Sequence, residues 1–372
     1  MKGLVRFDCD EAKPECENCV KHSLICEYSP GQPTFHTHAT SPAVGGVADL
    51  NLFDLELLHH FCTSTALSLH DNSTVRTLWS TNVPKLGFEY DYVMHGILAF
   101  SALHLAHLCL EKRADYTARA RLHHHAGLQK GTPALATFSD ENASPIYMFS
   151  ALTTLYSIAH IGDASILSSE EGVAEWIVLC RQSYGIVRIA EDVVKNGPVG
   201  QIFKVGARRI ELQDQFTTDN FPGAQFLQEF STFIGETIEN VRIKDAYTSA
   251  ISQLIKSFGV VSVLPPSALE SSDVFGWPFR VSDDFLELLQ ELRQEALVIL
   301  AFFAVLTRRL DSKWWLQGFG DHLMTMIYRL LDEDHKSWIS WPNKEMNWKP
   351  EEVNMTISQL VSGFQCCQSV KG

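Results

Sequence analysis

The sequence has few basic residues for its size, and this shortage limits the partners that it can bind through charge. It contains 30 lysines and arginines against 44 aspartates and glutamates, which gives a formal net charge of −14. Such a balance excludes broad electrostatic binding to nucleic acids or acidic membranes, so any contact with DNA has to come from a small local patch. The apolar fraction of 45% is nevertheless typical of a globular protein with a sizeable core.

Long uninterrupted apolar runs are also scarce. The first residues, MKGLVRFDCDE, contain no run of seven apolar residues, and we expect no secretory signal. The nine cysteines are then expected in a reducing compartment, either free or bound to metal. The best candidate for a membrane span, Tyr92–Leu110, is interrupted by three histidines, so we predict a buried helix there and no membrane span.

Sustained alternation of apolar and polar residues is absent too, which argues against an extensive β-sheet. Apolar residues instead recur at spacings of three and four, as in Leu50, Phe53, Leu57 and Phe61, with Asp49 as the expected N-cap. We predict an all-α fold, with breaks at two Trp-Pro pairs, 277–278 and 341–342. Further helices are predicted over 91–111, 113–131, 144–160, 173–195, 226–258 (with a break), 282–310 (as one or two helices) and 322–331.

Cysteine is concentrated near the start of the chain. Cys9, Cys16, Cys19 and Cys26 have the spacing C-x6-C-x2-C-x6-C. Four thiolates in so short a polar segment can satisfy one tetrahedral zinc ion, and C-x2-C is a common chelating turn. Since the segment has few apolar residues, the metal would supply much of its folding free energy. The alternative interpretation is four unrelated free thiols.

The segment CDEAKPECENCVKHSLICEY resembles the fungal six-cysteine binuclear zinc cluster, which usually reads C-x2-C-x6-C-x5–12-C-x2-C-x6–8-C. The four cysteines match the last four ligands of that module, whereas its first C-x2-C and the basic run behind it have no counterpart in MKGLVRFD. The resemblance therefore implies at most one zinc ion, in an altered arrangement. A start assigned downstream of a missing exon explains the difference better than a real truncation does.

In members of the family, the stretch that has no counterpart here also contains the lysines and arginines that contact DNA. Residues 1–28 hold four cations against six acids, and Lys2 and Arg6 are the candidate DNA contacts. We expect DNA binding only if the missing part of the cluster is restored. A truncated chain that dimerises with related factors and inhibits them is the alternative, and it would bind such a partner without shifting DNA by itself.

A linker rich in proline, glycine, serine and threonine is predicted at 29–48, between a partial zinc cluster at 1–28 and a helical domain at 49–342. DLNLFDLELLHHFCTST, YDYVMHGILAFSALHLAHL and the segment Phe285–Leu331 resemble the regulatory domain of fungal zinc-cluster activators in the sterol uptake control group. Residues 343–372 form an unassigned C-terminal tail.

This second resemblance implies a nuclear transcription regulator, cytoplasmic when ligand is bound, that forms a homodimer and takes a sterol or other lipid into an apolar pocket. Such a pocket needs aromatic and aliphatic walls with a few placed polar groups. The candidate wall residues are Phe302, Phe303, Trp314 and Trp315. Ordinary core packing is the alternative for each of them.

One acidic motif points to an enzyme instead. Asp283, Asp284 and Glu287 fit the D-D-x-x-D/E pattern with which class I terpene cyclases, also all-α, hold magnesium diphosphate. The alternative is a helix start, with Ser282 as N-cap and the carboxylates near the positive end of the helix dipole. No second metal motif follows, and G-x-S-x-G, H-E-x-x-H and P-loop patterns are absent. We predict that the protein is not an enzyme.

Histidine runs at 59–60 and 123–125 could suggest a metal site. Successive positions on a helix point about 100° apart, so the members of such a run do not converge on one ion. His104 and His107 lie three residues apart on one helical face, but no partner carboxylate is evident. We interpret these histidines as ordinary.

Overall fold

The structure is a computed structural model that describes residue 21 and residues 50–161, 172–215, 221–265 and 268–349. Within these ranges every regular element is a helix, which confirms the predicted all-α fold. The chain divides after Leu50 into two units, 1–50 and 51–372. The domain boundaries proposed from the sequence remain predictions.

The α-helices of the second unit are numbered here in chain order over the described residues. They are α1 Leu52–His60, α2 Ala66–Ser68, α3 Ser73–Thr77, α4 Val83–Glu89, α5 Asp91–Leu108, α6 Arg113–Ala136, α7 Ala143–Ile161, α8 Gly172–Ile189, α9 Glu191–Asn196, α10 Gly200–Gln215, α11 Ala224–Thr237, α12 Val241–Val263, α13 Ser271–Arg280, α14 Asp283–Gln290, α15 Gln294–Arg308, α16 Phe319–Leu330, α17 Glu333–Lys336 and α18 Ser340–Glu345. Short 3₁₀ turns lie at Leu110–Lys112, Trp314–Leu316 and Ser337–Ile339.

The start of α1 differs from the prediction. Asn51, and not Asp49, is the N-cap, because its side-chain oxygen accepts a hydrogen bond from the Asp54 amide at 3.3 Å. Leu50, which we expected on the apolar face, precedes the helix and is 68% exposed. Two stretches near this end of the unit are π-helical, Phe61–Thr65 and Leu78–Asn82. Turns of this kind occur frequently at functional sites.

Helix α15 lies at the centre of the core. Its residues from Ala296 to Thr307 are all buried, as expected of a helix that is almost apolar all round. Phe303 stacks on Trp277 at 4.8 Å and on Trp176 at 5.4 Å between ring centroids, and so connects α15 to α13 and α8. These contacts join segments that are far apart in the sequence.

The predicted breaks are partly confirmed. The break within 226–258 lies between α11 and α12, and 282–310 forms two helices, α14 and α15. The Trp277-Pro278 break was wrong, since α13 continues through both residues to Arg280. The Trp277 indole N–H donates to the Ala250 carbonyl at 2.9 Å, and this anchoring outweighs the local preference of a residue before proline. Trp341-Pro342 likewise lies inside α18, in its first turn.

Helix α5 is the segment that we considered as a membrane span. It is buried along most of its length and packs against α6 and α7. In the part of the chain that the structure describes, no helix combines the length and the apolar character that crossing a bilayer requires.

Candidate functional site

The zinc-ligand candidates Cys9, Cys16, Cys19 and Cys26, and the DNA-contact candidates Lys2 and Arg6, lie outside the described residues. The four candidate pocket residues are described, and they separate into two groups. Phe302, Phe303 and Trp315 are buried in the core, where Phe302 stacks on Trp341 at 5.4 Å. Trp314 is half-buried and lines a cleft.

The cleft has a volume of about 370 Å³ and is bordered by α5, α6, α7 and the turns at Leu110 and Trp314. One part of its wall is apolar and consists of Leu103, Ala106, Leu110, Ala159 and Trp314. The polar groups are His107, Arg113, Thr117, His160 and Gln317. Among the described lining residues Arg113 is the permanent cation, and none is a carboxylate.

Trp314 is held in place from two directions. Its ring stacks on His104 with 4.4 Å between centroids and an interplanar angle of 12°, and Phe100 lies 5.0 Å away. Its indole N–H donates a hydrogen bond of 2.9 Å to the hydroxyl of Ser68 at the end of α2. The indole therefore presents a fixed apolar surface to the cleft, because both its face and its N–H have partners.

His104 connects Trp314 to the π-helical turn at Phe61–Thr65. Its Nδ1 lies 2.9 Å from Thr65 Oγ1 and 3.2 Å from His60 Nε2. Burial, together with the neighbouring His60 and His107, lowers the pKa of His104 to about 4, so the ring is neutral at pH 7. Neutral Nδ1 can then accept a hydrogen bond from the Thr65 hydroxyl or the His60 N–H.

A second histidine pair lies between α5 and α6. His123 Nε2 is 3.1 Å from Asp54 Oδ1, and His123 Nδ1 is 3.1 Å from His95 Nδ1. Burial lowers the pKa of His123, and the Asp54 carboxylate opposes that shift in part. These histidines therefore contact side chains from other helices. Their spacing along a single helix could not predict those contacts. Over the described ranges, no group of three or more histidine, cysteine or acidic side chains is arranged to hold a metal ion.

The acidic motif of α14 has the geometry of a helix start. The Ser282 hydroxyl caps α14 by accepting a hydrogen bond from the Phe285 amide at 3.1 Å. Asp283 pairs with Arg181, while Asp284 and Glu287 both accept hydrogen bonds from Arg242, at 2.5 and 3.0 Å. The hydrogen bond from Arg242 lowers the pKa of Asp284. Arginine guanidinium groups therefore pair with the carboxylates that would have to bind magnesium.

Comparison with known proteins extends this description to the N-terminal segment. Residues 6–34 match the family model of the fungal Zn(2)-Cys(6) binuclear cluster domain. The chain is 22% identical over 304 residues to the Zn(2)-C6 fungal-type transcription factor afumD of Aspergillus fumigatus. The aligned region covers 79% of this chain and 80% of that protein. It is 20% identical over 422 residues to a Zn(2)-C6 fungal-type transcription factor of Gibberella zeae, over 91% of this chain and 82% of that one.

A shorter match concerns the sterol uptake control group. Sterol uptake control protein 2 of Candida albicans is 40% identical to this chain over 60 residues, which are 16% of this chain and 8% of that protein. The predicted resemblance to fungal zinc-cluster factors, including this group, is confirmed. Residues 6–34 therefore resemble a zinc-binding cluster domain, and the two long matches support a zinc-cluster transcription regulator of the fungal type. Regulators of this class bind DNA and are typically nuclear, and both long matches are to proteins named as transcription factors.

Proposed function

We propose that this regulator binds zinc through Cys9, Cys16, Cys19 and Cys26 and controls transcription in response to a small ligand of its helical unit. The observation that carries the first part is the family match over residues 6–34, because all four cysteines lie inside it. We propose no catalytic role, since the long-range similarity is to transcription factors and arginines pair with the acidic motif of α14.

The donor set of the matched segment fits one zinc ion. Four cysteine thiolates complete a tetrahedral site, whereas two zinc ions in the binuclear arrangement share six cysteines. The fit supports a mononuclear site in residues 6–34 as they stand. Such a site would contribute folding free energy to a segment with few apolar residues.

The ligand response is proposed from the similarity to sterol uptake control proteins, which suggests a sterol or other lipid. Ligand occupancy would shift the helical unit between states that differ in the surfaces offered to partners, such as a second copy in a homodimer. Nuclear location, with the ligand-bound protein in the cytoplasm, belongs to the same proposal. Residues 1–28 contain more acids than cations, so we propose that the chain binds DNA only if the first C-x2-C of the cluster, with its basic run, is restored. The alternative is that the chain dimerises with related factors and inhibits them.

Metal content tests the zinc site directly. We expect the purified full chain to carry one zinc ion per chain by elemental mass spectrometry, and Cys16→Ser and Cys19→Ser to lose it. Cys109→Ser is the matched control, because Cys109 is an exposed cysteine that lies outside residues 6–34 in the sequence. Absence of stoichiometric zinc in the unaltered chain would contradict the proposal, and so would equal loss in Cys109→Ser.

A further inference from the structure

We infer that the cleft beside Trp314 binds a small amphipathic carboxylate, an apolar chain or ring that ends in a carboxyl group. The inference rests on the proposed ligand response of the helical unit and assigns it a place and a chemical class.

The charge of the cleft differs from that of the whole chain. The protein has a net charge of −14, yet the described residues that line the cleft include Arg113 and no carboxylate. Arg113 begins helix α6, next to the N-cap Lys112, and the helix dipole contributes positive potential there, which Asp115 in the same first turn offsets in part. Asp115 is not one of the residues that line the cleft. An arginine forms its strongest hydrogen bonds with carboxylates and phosphates.

The apolar part of the cleft wall indicates that the ligand is apolar at the end away from its carboxylate. Leu103, Ala106 and Trp314 line the cleft with apolar side chains against which a hydrocarbon can pack, while Thr117 and Gln317 supply neutral hydrogen-bonding groups. A volume of about 370 Å³ is near the lower end of the range for ligand pockets, which run from about 300 to 1,000 Å³. The cleft is therefore suited to one chain or ring system of modest size, and a phosphate without an apolar part would leave the wall uncovered.

The wall of the cleft is connected to the rest of the helical unit through Trp314. A ligand packed on this ring contacts the residue that stacks on His104 and donates to Ser68. His104 in turn contacts Thr65 in the π-helical turn. Occupancy of the cleft would thus stabilise the arrangement of the segment between α1 and α2, because a ligand stabilises the state that it binds.

Titration calorimetry of the zinc-loaded full chain with decanoate tests the inference. We expect one decanoate per chain, with markedly weaker binding of decan-1-ol and none of decyltrimethylammonium, which share the apolar chain but lack the negative charge. Arg113→Gln should weaken decanoate binding about tenfold or more, because it removes a charge-assisted hydrogen bond. Arg113→Lys should restore part of it. Equal affinity for decan-1-ol, or absence of decanoate binding, would overturn the inference.

Arg121→Gln is the matched control for charge. Arg121 is exposed on the same helix, two turns further along, and is not part of the cleft wall. We expect its substitution to leave decanoate affinity unchanged, and thermal melting of each variant checks that it folds. A reduction equal to that of Arg113→Gln would show a general effect of charge and would count against the cleft. Zinc content is measured on the same samples, so a chain that holds zinc but not decanoate overturns this inference and leaves the zinc site standing.

Discussion

At the scale of single residues, position in the tertiary structure changes the chemistry of identical side chains. His104 is 5% exposed, lies under Trp314 and has a pKa of about 4, whereas His125 on α6 is exposed. The sequence interpretation of the histidines as ordinary did not separate them, because both lie in helical runs. Burial under a ring from a distant segment makes the difference, and it has a consequence for stability at low pH.

We expect His104 to make the helical unit less stable as the pH falls. Between about pH 6.5 and 4 the unfolded chain binds a proton at this residue and the folded chain does not, so acid favours unfolding in that window. From pH 7 to pH 5 the free energy of unfolding should fall by about 2 kcal/mol more in the unaltered protein than in His104→Gln. Urea unfolding followed by circular dichroism at the two pH values measures the difference.

His125→Gln is the control for that measurement, since it removes an exposed histidine from the same set of helices. Its pH dependence should match that of the unaltered protein. If His104→Gln retains the full pH dependence, the neutral, buried state that we assign to His104 is incorrect.

At the scale of elements, the helices were largely predictable and their contacts were not. Spacings of three and four identified most of the long helices but not α3, α4, α10 or α13, and the Ser282 cap of α14 follows from the local pattern S-D-D-F. The π-helical turns and the close approach of α6 to α7 depend on neighbouring helices. Gly131 shows this, because a Cβ built there would lie 2.3 Å from Phe149 Cε1 on α7.

The effect of alanine should consequently have opposite signs at two helical glycines. Gly131→Ala gains helix propensity but forces Phe149 to move, and we expect it to destabilise the protein by about 1–3 kcal/mol. Gly206→Ala in α10 meets no atom within 4 Å and should stabilise it by about 0.5–1 kcal/mol. Thermal and urea unfolding of the two variants provide the measurement. Stabilisation by Gly131→Ala would refute the packing of α6 against α7.

At the scale of the whole molecule, the aromatic residues of the predicted pocket have two different roles. Phe303 lies between Trp176 and Trp277 and holds three helices together, whereas Trp314 borders the cleft. From the sequence, Phe303 and Trp314 were both predicted to line a ligand pocket. Only the packing of segments from across the chain separates a core stack from a ligand surface.

Phe303→Leu should therefore affect stability and not binding. Loss of its ring contacts with Trp176 and Trp277 is expected to lower the free energy of unfolding by about 2 kcal/mol. Decanoate affinity should stay the same, because the stack is not part of the cleft. Phe88→Leu serves as the control, since Phe88 is 72% exposed and its change should cost less than about 0.5 kcal/mol. Weaker decanoate binding in Phe303→Leu would place Phe303 in the ligand site after all.

The sequence by itself determined the all-α class, the C-x6-C-x2-C-x6-C spacing on which the predicted zinc site rests, and the capped start of α14, because each depends on residues a few positions apart. The tertiary structure alone decided that Arg181 and Arg242 pair with the acidic motif, and that Trp314 joins Ser68 across 246 positions to form a wall of the cleft. Helical periodicity is a local property of the chain. The partners of a buried side chain are set by how all the helices pack, which no short pattern encodes.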